Sequence, residues 1–207
     1  MTNAPNRDLV FVFDMAGVLV QWEMDALYGP MFASSARDLA EFYSRVLTRE
    51  VLDEISAGKP VATMVAEQIE FHPHWQAEIE SYWASWDDMV VGSIDGTVSV
   101  VEELKERGHR VYVLGNWGRD EFERASGRFA FLELFDDILL SGDCGVLKPD
   151  AKIFALAEER FGLVPANTIF IDDRADNVQA AIERNWNGIV FESPRQLYLV
   201  LMDYGIL

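Results

Sequence analysis

Short apolar runs recur along the chain, and most of them end in a polar or glycine-containing turn. The first run, residues 9–13 (LVFVF), ends at Asp14 and is typical of a strand buried on both faces of a sheet. Helical patterns separate the runs, which indicates crossover connections between parallel strands. The pattern therefore predicts an α/β fold with a Rossmann-like parallel sheet core. The further strands are predicted at residues 111–114, 138–140, 168–171 and 189–191.

The stretch from residue 22 to residue 88 has a different pattern. Its apolar residues recur at helical spacing, and no convincing strand interrupts them. We therefore expect a small helical bundle inserted after the first strand. The predicted domains are an α/β core domain of residues 1–20 and 90–207 and an inserted helical domain of residues 21–89.

The overall composition excludes several classes of protein. Acidic residues outnumber basic ones by 35 to 17, and the formal net charge is −18. Because phosphate groups would repel such a chain, neither nucleic acid nor a membrane surface is expected as a partner. Residues 1–8 lack the apolar core of a signal peptide, and a single cysteine cannot form an internal disulfide. We expect a cytoplasmic protein, and the composition leaves its oligomeric state open.

Polar side chains follow four of the predicted strands. Asp14 follows the first strand, Asn116 the second and Asp172–Asp173 the fourth, while Lys148 lies in the loop after the third. Ligands bind at the carboxyl edge of such a sheet, so these residues are expected to share one crevice. Three carboxylates there repel one another unless a cation holds them, and oxygen ligands favour Mg²⁺. Any one of these residues alone is typical of a turn or helix cap, but the set favours a functional site.

These motifs resemble those of the haloacid dehalogenase superfamily, and the resemblance covers nearly the whole chain. Asp14 lies in a segment similar to the family's first motif, and Gly115–Asn116 in one similar to the second. Lys148 and Asp172–Asp173 are similar to the third and fourth motifs. The helical segment is placed like the family's cap, and the motif set is most similar to a phosphatase-like branch.

The resemblance implies a magnesium-dependent phosphatase acting on a small phosphorylated metabolite. Asp14 would attack phosphorus to form an aspartyl-phosphate, which water then hydrolyses, while Lys148 offsets the developing charge. Mg²⁺ would be held by Asp14, the main-chain carbonyl of Ala16 and the pair Asp172–Asp173, with Asp173 favoured as the direct ligand. The residues expected at the substrate are Gly115, Asn116, Trp117 and Trp22.

Two positions depart from the family's pattern. Ala16 stands where most phosphatases of the family carry a second aspartate as general acid and base, and losing that group costs about 10²–10⁴ in rate for a poor leaving group. Gly115 stands where a hydroxyl side chain usually binds the phosphate. Two alternatives therefore rank below the phosphatase. The first is a weakened or non-catalytic relative that binds a ligand. The second is a dehalogenase-like hydrolase, which needs no second aspartate but works without a metal.

Overall fold

Five strands form the predicted parallel sheet, and two more form a small antiparallel sheet, in the residues that the computed structural model describes, 8–207. In chain order the strands are β1 (Val10–Phe13), β2 (Val20–Trp22), β3 (Val90–Ser93), β4 (Arg110–Gly115), β5 (Asp137–Leu140), β6 (Thr168–Asp172) and β7 (Asn187–Val190). The parallel sheet has the order β5-β4-β1-β6-β7. The predicted α/β fold is confirmed, and β1 lies at the centre of the sheet.

Helices cover both faces of the parallel sheet. They are α1 (Met24–Met31), α2 (Ala36–Arg45), α3 (Arg49–Ser56), α4 (Val61–Phe71), α5 (Gln76–Ala84), α6 (Trp86–Met89), α7 (Asp95–Glu106), α8 (Arg119–Ser126), α9 (Ser141–Cys144), α10 (Ala151–Phe161), α11 (Ala175–Glu183) and α12 (Pro194–Asp203). Successive residues of β1 point to opposite faces. Phe11 and Phe13 belong to the core that includes α7 and α12, while Val10 and Val12 pack with α10 and α11. This two-sided burial explains the unbroken apolar run of β1.

Helices α1 to α6 form the segment between β2 and β3. Aromatic side chains pack together inside it, with ring centroids 4.9 Å apart for Tyr28 and Phe42 and 5.6 Å apart for Phe42 and Trp75. Most of its large rings therefore form a local core, as expected for a small helical bundle. No helix of residues 8–207 has both the length and the apolar character needed to cross a lipid bilayer.

The expectation that the stretch from residue 22 contains no strand was wrong at its start, and β3 was not predicted. Trp22 is the last residue of β2, which pairs antiparallel with β3 through Val20↔Ser93 and Trp22↔Val90. Both strands are short, and each pairs with a partner far away in the sequence, so local periodicity carries no signal for them. Their pairing brings the two ends of the helical segment side by side. The first seven residues, on which the expectation about a leader mainly falls, lie outside the described part.

Candidate active site

Asp14 stands directly after the central strand, at the carboxyl edge of the sheet. Its backbone N–H donates to the carbonyl of Ile171, 2.8 Å away, which ties the end of β1 to β6. Its Oδ1 accepts from the N–H of Met15 at 2.7 Å and from Lys148 Nζ at 2.7 Å. Burial raises the pKa of Asp14 to about 7, because the cost of desolvation exceeds the attraction of Lys148 and Asp172 adds repulsion. The carboxyl group is thus held in one orientation in a place that disfavours its charge.

Lys148 lies between two buried carboxylates. Its Nζ is 2.7 Å from Asp14 Oδ1 and 2.7 Å from Asp172 Oδ2, and its side chain has no exposed surface. Burial alone would lower the pKa of Lys148, but the attraction of the two carboxylates outweighs it, and the pKa is raised above its ordinary value. Lys148 therefore carries a permanent positive charge at this edge of the sheet.

Asn116 holds the main chain of Lys148 on both sides. Its Oδ1 accepts from the Lys148 N–H at 2.8 Å, and its Nδ2 donates to the Lys148 carbonyl at 3.0 Å. The side-chain amide expected at the substrate thus also links the loop after β4 to the loop after β5. The geometry gives Asn116 a clear positioning function for the lysine.

Asp172 is anchored by several donors besides the lysine. Asn177 Nδ2 lies 3.0 Å from each of its oxygens, and the N–H of Arg174 lies 2.9 Å from Oδ1. With both oxygens engaged, Asp172 is suited to hold Lys148 in place. The expectation that Asp173 is the direct metal ligand, with Asp172 as its neighbour or support, stays a prediction.

The carboxylates of Asp14, Asp172 and Asp173 form a cluster that could hold a metal ion. One oxygen from each lies within 4.8 Å of the others. Gly17 permits this approach, because its φ is +83° and a Cβ there would lie 2.7 Å from Asp173 Oδ2. Burial raises the pKa of Asp173, and the charge of Asp172 raises it further. An all-oxygen set of mutually repelling acids fits a hard divalent cation.

A cavity of about 300 Å³ opens beside this cluster, and its wall includes Asp14, Lys148 and Asp173. Four other residues expected at the site also line it: Ala16, Trp22, Asn116 and Trp117. Gly115 does not line it. A Cβ at Gly115 would lie 3.3 Å from the Cβ of Met15 and 4.0 Å from Asp14 Oδ1, so this residue lies behind the carboxyl group.

Trp22 lines the cavity and has an unsatisfied donor in its side chain. Its Nε1 is buried and has no hydrogen-bond partner among the described residues. An orphaned buried donor is unusual in a folded protein and can be satisfied by an acceptor of a bound ligand. The expected contact of Trp22 with substrate stays a prediction.

The predicted site residues do not include the part of the wall that α3 contributes. Arg49, Leu52, Asp53 and Ser56 all line the cavity. Their spacing of three and four residues places them on one face of a helix, which was the available signal. That signal was ambiguous, because the same spacing is typical of a face packed in the bundle. The remaining residues of the wall are Gly17, Tyr82, Glu121, Arg174 and Asn177.

Comparison with known proteins identifies the family. A family model for haloacid dehalogenase-like hydrolases matches residues 9–183. The chain is 34% identical over 83 residues to the sesquiterpene phosphatase astK of Aspergillus oryzae, covering 40% of this chain and 42% of that protein. It is 28% identical over 85 residues to an (S)-2-haloacid dehalogenase of Pseudomonas putida, covering 41% of this chain and 37% of that protein. The chain thus spans less than half the length of either relative.

The fold is similar to that of a haloacid dehalogenase family enzyme from Bacteroides thetaiotaomicron, solved as a complex with magnesium and inorganic phosphate. The TM-score is 0.72, the sequence identity is 19%, and the match covers 89% of this chain and 94% of that one. At this identity the likeness establishes the fold alone. The family model matches most of the chain, so the protein belongs to the haloacid dehalogenase-like hydrolases.

Proposed function

We propose that this protein is a magnesium-dependent phosphatase that hydrolyses small phosphate esters through an aspartyl-phosphate on Asp14. The observation that carries the proposal is the placement of Asp14, Lys148 and Asp173 in the wall of one cavity. Its volume, about 300 Å³, suits a small ligand. The helical segment of residues 21–89 would act as the cap, since its helices α3 and α5 contribute residues to the cavity wall.

The metal would be held by Asp14, Asp173 and the main-chain carbonyl of Ala16, with Asp172 in support. When bound, Mg²⁺ supplies positive charge next to the transferred phosphoryl group. The three clustered carboxylates favour a metal-dependent reaction over the dehalogenase alternative, which needs no such cluster.

The hydrogen bonds of Asp14 would leave one of its carboxylate oxygens available to attack phosphorus. Lys148 and the N–H of Met15 both bind Oδ1, which leaves Oδ2 without a hydrogen bond among the described residues. Oδ2 would form the bond to phosphorus while the ester bond to the alcohol breaks. The departing alkoxide would take its proton from water, since Ala16 has none to give. A second water would then cleave the aspartyl-phosphate, releasing phosphate and restoring Asp14.

The test of this function is phosphate release from p-nitrophenyl phosphate with Mg²⁺ and after chelation by EDTA. We expect turnover that requires the metal and returns when Mg²⁺ is restored. Chloride release from 2-chloropropionate without metal, in the absence of phosphate release, would establish the dehalogenase alternative instead. Binding of inorganic phosphate without turnover of any ester would establish the non-catalytic alternative.

Ala16→Asp is expected to raise kcat/KM for alkyl phosphates by about 10²-fold, at the lower end of the usual range for general acid catalysis. The new carboxyl group would line the same cavity as Asp14 and protonate the poor alkoxide leaving group. p-Nitrophenolate leaves without protonation, so turnover of p-nitrophenyl phosphate should change little. Ala16→Asn is the matched control, because it has the same size and transfers no proton. Equal rates for the two variants on alkyl phosphates would contradict the proton-transfer explanation.

Gly17→Ala is expected to raise the Mg²⁺ concentration for half-maximal activity by about 10- to 100-fold, the usual cost of disturbing a group that orients a metal ligand. The added Cβ would lie 2.7 Å from Asp173 Oδ2 and would displace that carboxylate. The measurement is a Mg²⁺ titration of turnover. Gly108→Ala is the control, since Gly108 has φ +85° with nothing within 4 Å of the added atom. A similar Mg²⁺ dependence in both variants would place Asp173 outside the metal site.

A further inference from the structure

Glu121 is a buried carboxyl group in the wall of the same cavity. It lies on α8 and is 4% exposed. Its Oε1 accepts from the hydroxyl of Tyr82 at 2.7 Å and from Trp86 Nε1 at 3.3 Å, and its Oε2 accepts from the N–H of Gly118 at 3.2 Å. Glu121 therefore joins the helical segment to the sheet domain at a position that a ligand can reach.

The charge of Glu121 has no cationic partner among residues 8–207. The carboxylates of Asp14 and Asp53 in the same wall are paired with Lys148 and Arg49. Burial raises the pKa of Glu121, while its three hydrogen bonds act in the opposite direction. Burying a carboxylate costs free energy unless a cation is paired with it, and Glu121 lacks such a cation among the described residues.

Glu121 also has a hydrogen-bond acceptor position that no described donor occupies. A carboxylate offers about four acceptor positions, and Glu121 uses two on Oε1 and one on Oε2. One position on Oε2 remains for a donor. The aromatic side chains of Tyr82, Trp117 and Trp22 line the cavity with it. Aromatic rings attract cations, so these side chains together with the carboxylate favour a cationic group over a neutral one.

We propose that Glu121 selects substrates by binding an ammonium group on the alcohol part of the phosphate ester. The proposal rests on the proposed function, which places the phosphate group near Lys148 and Asp14 in the same cavity. A cavity of about 300 Å³ limits the substrate to a short chain between the two groups. The selected class is therefore short aminoalkyl phosphates.

Three phosphonates of equal heavy-atom count test the selection: 3-aminopropylphosphonate, 3-hydroxypropylphosphonate and butylphosphonate. They carry no ester bond, so calorimetric binding in the presence of Mg²⁺ does not depend on turnover. We expect the wild type to bind the amino compound about 10- to 100-fold more tightly than the butyl compound, as for a hydrogen bond between charged groups. Glu121→Gln should lose this preference.

Tyr82→Phe is the matched control, because it removes the hydroxyl that binds Glu121 and keeps the carboxylate. It should retain the preference for the amino compound, and thermal unfolding checks that both variants are folded. A wild type that binds the hydroxyl compound as tightly as the amino compound overturns the proposal, whether or not Glu121→Gln folds. An unchanged ratio in folded Glu121→Gln also overturns it. Turnover of p-nitrophenyl phosphate is measured in parallel, so a failure of the proposed function is recognised separately.

Discussion

Replacing Asp14 by asparagine is expected to lower the kcat for p-nitrophenyl phosphate by about 10⁴-fold or more, as when a catalytic nucleophile is removed. An amide oxygen cannot form the aspartyl-phosphate. Among the described carboxylates, only Asp172 lies equally close to Lys148, and both of its oxygens already accept hydrogen bonds from Asn177. The variant should fold, because asparagine has the same size and burial already disfavours the charge of Asp14. The measurements are steady-state turnover and the thermal unfolding midpoint.

Asp137→Asn is the control for this substitution. Asp137 begins β5, pairs with Arg160 and lies at the opposite end of the strand from the cavity. Its loss should leave turnover close to that of the wild type. A folded Asp14→Asn variant with undiminished turnover would show that another group attacks phosphorus.

Replacing Lys148 by methionine is expected to lower kcat by about 10²–10³-fold, as for the loss of one charge-stabilising donor in an active site. It should also lower the free energy of unfolding by about 3–5 kcal/mol, because it leaves buried carboxylates without their cation. Lys148 contacts both Asp14 and Asp172 at 2.7 Å and has no exposed surface, so water cannot replace it. Chemical denaturation without metal measures the stability, and added Mg²⁺ should restore part of it by supplying positive charge.

The matched control is Lys105→Met. Lys105 pairs with Asp136 at 2.9 Å, but both side chains are partly exposed, at 30% and 35%. A pair of this kind contributes at most about 1 kcal/mol. Combining Lys148→Met with Asp172→Asn should recover stability without recovering activity, since the second change removes one unpaired charge. Equal destabilisation by the Lys148 and Lys105 substitutions would show that the buried ion pairs do not hold the site together.

The elements that were predicted well from the sequence are those whose burial produces a pattern of apolar residues within the element itself. All four residues of β1 are buried in the core, on both faces of the sheet, and they therefore form a continuous apolar run. The same holds for β6, where every residue is buried. By contrast, β2 is only three residues long and pairs with a strand about 70 residues later, which no local period reveals.

Some features of the site could likewise be predicted from the sequence, and others could not. A polar residue directly after a buried strand must emerge at the carboxyl edge, so Asp14 and Asp173 could be placed together from the sequence. The hydrogen bonds of Asn116 to the Lys148 main chain depend instead on how two loops pack. The surroundings of Glu121 depend on how the helical segment lies against α8.

The hydrophobic pattern and the motifs were sufficient to predict the parallel sheet, the insertion of helices after its first strand and the set of acids and lysine at the strand ends. The sheet and the helices follow from the spacing of apolar and polar positions, because that spacing reflects which residues are buried. The tertiary structure was needed to establish which oxygens those acids leave free and that Asp172 contacts Lys148. It also shows that Glu121, a carboxyl group with no cationic partner among the described residues, lines the cavity. Such partners are far apart in the chain, and their contacts depend on loop and helix packing that no local pattern encodes.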